Sequence, residues 1–206
     1  FHLDRGLAVE KSRYADTVDI ARRHGLPVFM DGARIFNAAL ATNTTVGDLT
    51  GFCDAVDVCL CKGLAAPLGS MLMGSRDFID EARRIRQRIG GGMRQAGVIA
   101  APGILALTKM VERLPEDHEN AETMRRGREA KGIAVDRGGV LTNIVNLDVS
   151  PAGWKAPLFA EKLLGHGIRA KVCTDRTLRM VLHNDIGARE VSVVLDRVGE
   201  VLRGRA

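Results

Sequence analysis

Asp31 and Lys62 are the residues whose type and position point first to chemistry. Each follows a short apolar run: Pro27-Val28-Phe29-Met30 before the aspartate, and Ala55 to Cys61 before the lysine. Such runs, bounded by turn signals, read as buried strands. In open α/β sheets, ligands bind outside the carboxyl ends of the strands, so residues just past two different strands can face one site. A carboxylate and an amine placed there suit pyridoxal 5'-phosphate. The amine condenses with the cofactor's aldehyde, and the carboxylate keeps the pyridine nitrogen protonated, so the ring can accept electrons from a carbanion. Spacing alone also fits ordinary roles: a strand-end Asp caps turns, and a Lys before Gly is often only exposed.

Three arginines join them. Arg34 follows Asp31 by three residues and falls on a similar side if a helix begins near Asp31. Arg94 follows Gly90-Gly91-Gly92-Met93, where the backbone can approach an anion closely. Arg179 lies in Leu178-Arg179-Met180-Val181, where strand alternation aims it away from its apolar neighbours. The cysteines Cys53, Cys59, Cys61 and Cys173 match no zinc pattern and no CxxC motif. The first three lie in an apolar stretch and are expected to pack as small hydrophobes, in a reducing compartment. His118 and His183 are expected to be structural, and His2, His24 and His166 to lie on the surface.

The elements that must position these residues follow from periodicity. Residues 13–24 have helical spacing and stop at Gly25. Ala33–Ala41 reads as a helix, and residues 70–73 as a short strand between Gly69 and Gly74. Residues 76–88 form a polar helix. A long helix should then run to about His118 with the stripe Ile104, Leu107, Val111 and Leu114. From about residue 121, strands around Val145–Val149, Ile168–Cys173 and Leu178–Leu182 join helices at 157–164 and 191–202. The expected fold is α/β: residues 1–120 as part of a larger parallel-sheet domain, and 121–206 as a small α+β domain.

Composition narrows the function. The chain has 206 residues, 46% of them hydrophobic and only 4% aromatic, so Ala, Val, Leu, Ile and Met must build the core. Net charge is +5, but the arginines are scattered and no basic run is interleaved with stacking aromatics. Nucleic acid is therefore not the expected partner. Nor is a membrane, since no apolar run reaches spanning length. No signal-peptide pattern opens the chain, so a cytoplasmic location is expected.

The local sequences then carry a resemblance. Val28-Phe29-Met30-Asp31-Gly32-Ala33-Arg34, Cys59-Leu60-Cys61-Lys62-Gly63-Leu64 and Gly90-Gly91-Gly92-Met93-Arg94-Gln95 resemble, in order and spacing, three marked stretches of the PLP-dependent threonine aldolases. The likeness continues through Glu116-Asp117-His118-Glu119-Asn120-Ala121 and Leu178-Arg179-Met180-Val181. It implies a fold-type-I enzyme that cleaves threonine or allo-threonine to glycine and acetaldehyde. It implies Lys62 as the Schiff-base lysine, and Asp31, Arg34 and Arg94 as cofactor contacts. Arg34 and Arg179 would bind substrate, and the family implies a homodimer or homotetramer. The family pattern usually has Ser where this chain has Cys61, and Gly where it has Ala65. The likeness begins inside the family's large domain, so the sequence reads as N-terminally truncated, without the Gly-Thr phosphate cradle and ring-stacking histidine. An alternative expectation is an inactive family member that serves only as a structural partner.

Overall fold

The computed structural model describes residues 6–204. Two units account for them: residues 9–114, and residues 115–204 together with 6–8. His2 lies outside the described residues.

The first unit begins with α1 (Lys11–Arg23), which buries Val18 and turns at Gly25 with φ +64°. The chain then enters β1 (Phe29–Asp31), α2 (Ile35–Thr42) and α3 (Val46–Thr50). The short α3 has no clear period in sequence. It is set by a capping box in which Thr45 and Asp48 satisfy each other's backbone N–H. β2 (Ala55–Cys59) pairs in parallel with β1, with Asp31 opposite Asp57. β3 (Ser70–Gly74) then pairs antiparallel with β2, so the sheet β1-β2-β3 is mixed. One short loop separates β2 from β3, too short for the crossover that a parallel neighbour needs. The helix α4 (Arg76–Arg88) is capped by Ser75 and buries no residue.

The expected long helix to His118 is not one helix. α5 (Gly97–Leu105) contains Pro102 and passes into a π-helical segment, Ala106–Met110. Proline removes an N–H from the ladder, and a π turn absorbs the misfit. The inward stripe also differs. Ile104 and Leu107 are exposed and Gly103 and Ala106 are buried in their place, whereas Leu114 of the expected stripe is buried. The small residues win because the helix lies close to the sheet: a Cβ on Gly103 would meet Leu60 Cδ1 at 3.2 Å.

α6 (Leu114–Glu129) leads into the second unit and extends well past His118. There β4 (Ala134–Val135), β5 (Ile144–Asp148), β6 (Lys171–Val172) and β7 (Thr177–Val181) form an antiparallel sheet in the order β4-β5-β7-β6. Helices α6, α7 (Ala156–Gly165) and α8 (Ala188–Arg203) share one core with Val145, Leu147, Leu178 and Met180. Strand alternation leaves Asn146 and Arg179 on the opposite face, where Arg179 Nε donates to Asn146 Oδ1 at 3.2 Å.

Two of the scattered arginines are buried on α6. Ala121, Met124, Arg125 and Arg128 recur at 3–4 spacing, the inward stripe of an amphipathic helix. Arg125 donates to the carbonyls of Thr142 and Ile144. Arg128 is fully buried, and its Nη2 meets only the thioether of Met180, at 3.5 Å.

His118, near the start of α6, titrates far from its ordinary range. Burial, and then the Arg125 charge, push its pKa down to about 4. The unfolded chain therefore holds more protons than the folded one between pH 4 and about 6.5, so stability falls as pH drops through that window. We expect acidification from pH 6.5 to 4.5 to cost on the order of 2 kcal/mol through this group. In chemical denaturation across that range, His118→Gln should flatten the loss. An unchanged slope would contradict the assignment.

Candidate active site

Asp31 is the last residue of β1, and Lys62 follows the end of β2 by three residues. Because β1 and β2 run parallel and adjacent, both residues emerge at the carboxyl end of the sheet. Each is followed by a glycine that the packing requires. A Cβ on Gly32 would meet the Asp57 carbonyl at 2.8 Å, and one on Gly63 would meet Asn37 Oδ1 at 2.8 Å and Leu114 Cδ2 at 3.2 Å. Both glycines are buried, while Asp31 and Lys62 are exposed. The backbone is thus pinned directly behind each reactive side chain.

Asp31 does cap its turn: Oδ1 accepts from Ala33 N–H at 3.0 Å. That ordinary role fixes the carboxylate's direction while, among the described residues, no hydrogen bond engages Oδ2. Arg34 stands at the N-cap of α2 rather than one turn inside a helix, because the helix begins only at Ile35. It is half-buried and engaged in interactions of its own. Arg94 is exposed in the turn before α5. Among the described residues, no hydrogen bond or ion pair joins Arg94 to Asp31 or Lys62. Arg179 belongs to the second unit.

The loop after Lys62 is tight. Ala65 N–H donates to the Lys62 carbonyl at 3.0 Å, and Ala66 N–H to that of Leu60 at 3.0 Å. Closing this turn drives Ala65 to φ +57°, a conformation costly for any residue with a Cβ. Leu60, Leu64 and Ala66 are buried in one cluster with Ala106 and Leu114 and hold the loop down. Ala65→Gly should therefore stabilise the first unit by about 1 kcal/mol, read as a shift in denaturation midpoint. A loss of stability would contradict the strained turn.

Two features here escape the sequence reading. Asn37 is buried beneath Gly63, positioned by α2. Cys61 is exposed instead of packing as a hydrophobe, and its sulfur lies 3.3 Å from that of Cys59. Their spacing of two was the available signal, although β2 ends at Cys59 and Cys61 lies in the bend beyond it. A separate apolar groove of about 490 Å³ lies along β1 and reaches Asp31, but Lys62 does not line it.

These residue types suit pyridoxal phosphate at two of its ends: Lys62 could offer a primary amine to the aldehyde, and Asp31 a carboxylate to the ring nitrogen. Arg34 and Arg94 are two cations of the same unit that could meet the phosphate.

A mixed α/β sheet flanked by helices places the chain in the fold-type-I class. Its solved neighbours include a structure described as an aromatic amino acid beta-eliminating lyase/threonine aldolase from Exiguobacterium sp. 255-15. That structure superposes with a TM-score of 0.77 at 17% identity, over 95% of this chain and 58% of that one. The sequence profile of the beta-eliminating lyase family matches residues 3–150, and the chain belongs to that family. Its curated relatives include low-specificity L-threonine aldolase 1 of Arabidopsis thaliana, 39% identical over 197 residues, covering 93% of this chain and 53% of the relative. The low specificity L-threonine aldolase of Escherichia coli strain K12 is 35% identical over 192 residues, covering 92% and 55%. The chain thus spans about half the length of the curated relatives it matches. Among the described residues, no helix is long and apolar enough to cross a membrane.

Proposed function

We propose that this chain carries the lysine and ring-nitrogen half of a PLP-dependent aldolase site, acting on threonine or allo-threonine to give glycine and acetaldehyde. The carrying observation is the parallel register of β1 and β2, which brings Asp31 and Lys62 out at one end of the sheet. When bound, pyridoxal phosphate supplies an electron sink for the carbon–carbon bond being broken.

The remaining tasks fall to the chain's own residues. Lys62 holds the cofactor covalently through Nζ. Its exposure leaves that amine accessible to both cofactor and substrate. Asp31 keeps a proton on the ring nitrogen through its carboxylate, which the turn at Ala33 orients. The substrate carboxylate falls to arginine, for which Arg34 and Arg179 are the candidates, because a planar guanidinium binds a carboxylate through two parallel hydrogen bonds. Fixing that carboxylate would orient the substrate's Cα and so favour aldol cleavage over loss of carbon dioxide. The reading includes small amino acids as partners and a homodimer or homotetramer as the assembly.

The test is direct. Purified chain supplied with pyridoxal phosphate is incubated with allo-threonine and with threonine, and glycine is quantified. Glycine and acetaldehyde in equal amounts support the reading. No glycine from either substrate at saturating cofactor overturns it for this chain.

A further inference from the structure

Cys59 is the last residue of β2, and Cys61 lies in the bend directly before Lys62. Their Sγ atoms are 3.3 Å apart, inside van der Waals contact for two sulfurs. Cys61 is exposed and Cys59 half-buried, so a small reagent can reach the pair. Neither Cys53 nor Cys173 shares a sulfur–sulfur contact among the described residues.

We infer that Cys59 and Cys61 close into a reversible intrachain disulfide that controls the Lys62 turn. The functional consequence rests on the reading of Lys62 as the cofactor lysine; the bond itself does not. The oxidant is a low-molecular-weight disulfide of the glutathione class. The thiolate of the exposed Cys61 attacks one of its sulfurs and expels one thiolate. Cys59 then attacks the Cys61 sulfur of the mixed disulfide and expels the second. Two cysteine thiols lose two electrons and two protons, and one disulfide oxidant becomes two thiols.

The geometry links this bond to Lys62. Bringing the sulfurs to bonding distance, about 2.05 Å, needs a movement of roughly one ångström. Leu60, between the cysteines, is held by the buried cluster and by the hydrogen bond from Ala66. The less constrained Cys61 therefore moves, and Lys62 is the next residue. The neighbouring sulfur of Cys59, together with burial, pushes the Cys61 thiol up, outweighing the pull of Lys62. The thiolate is the attacking form, so oxidation should quicken as pH rises towards the thiol's pKa.

The full chain is incubated with oxidised glutathione at mildly alkaline pH. Free thiols are then counted by alkylation and mass spectrometry, and Lys62 reactivity is measured with an amine-acylating reagent. The expected result is joint loss of two of the four thiols, with the chain lighter by two hydrogens and the bond mapped to residues 59–61. A severalfold change in Lys62 acylation should accompany it, and dithiothreitol should reverse both. Cys61→Ser and Cys59→Ser should block the internal bond, whereas a Cys53→Ser, Cys173→Ser double variant should retain it. Four surviving thiols, separate glutathionyl groups on both cysteines, or a closed bond with unchanged Lys62 reactivity would overturn the inference. None of these readouts needs bound cofactor, so failure of the aldolase reading is scored separately.

Discussion

Arg128→Met should stabilise the second unit by about 1–4 kcal/mol and raise its melting temperature by at least about 4 °C. Arg128 is fully buried on α6, and its Nε and Nη1 find no hydrogen-bond partner. A thioether is a poor acceptor, so the Met180 contact offsets little of the cost of removing a guanidinium from water. Methionine keeps an unbranched stem of similar reach, which limits the cavity left behind. Burial pushes the Arg128 pKa down, yet the guanidinium keeps its charge, which is what makes its burial costly. A destabilised variant would count against an uncompensated buried charge.

The second large effect concerns activity. Lys62→Ala should abolish covalent capture of pyridoxal phosphate and reduce glycine formation to background. Asp31→Ala should leave the capture intact, because Lys62 is untouched, yet slow cleavage by roughly 10²–10³-fold, the scale of one preorganised electrostatic group. The two variants thus separate holding the cofactor from tuning it. Asp31 also caps the turn at Ala33, so its removal has a structural component. Asp31→Asn keeps an acceptor for that turn but cannot keep the ring nitrogen protonated. If Asp31→Asn retains native activity, the carboxylate is only a cap.

Much of this site was legible from strand ends. Val28-Phe29-Met30 and Val56-Asp57-Val58 have strand character, and the glycine after each of Asp31 and Lys62 marks where the chain turns. Parallel pairing was legible from the strand–helix–strand spacing, but the register that sets Asp31 opposite Asp57 was not, because register is a non-local choice that periodicity does not encode. The antiparallel β3 escaped for the same reason. On α6 the arginines counted only as scattered charge in the sequence, yet Arg125 and Arg128 fall with Ala121 and Met124 on the inward face, where helical position prevailed over residue type. Around Pro102 the reverse held. Leu and Ile suggested the buried stripe, yet close approach of the helix to Leu60 favoured Gly103 and Ala106. The left-handed Ala65 was foreshadowed by the family's usual glycine there, and the turn geometry supplies the reason.

Borohydride reduction of the chain after incubation with pyridoxal phosphate, followed by peptide mapping, identifies the lysine that holds the cofactor. Reduction fixes the cofactor to whichever amine holds it. One pyridoxyl group per chain is expected, on Lys62, lost in Lys62→Ala and retained in Asp31→Ala. Label spread over other lysines such as Lys109 and Lys162, or none at Lys62, would contradict it.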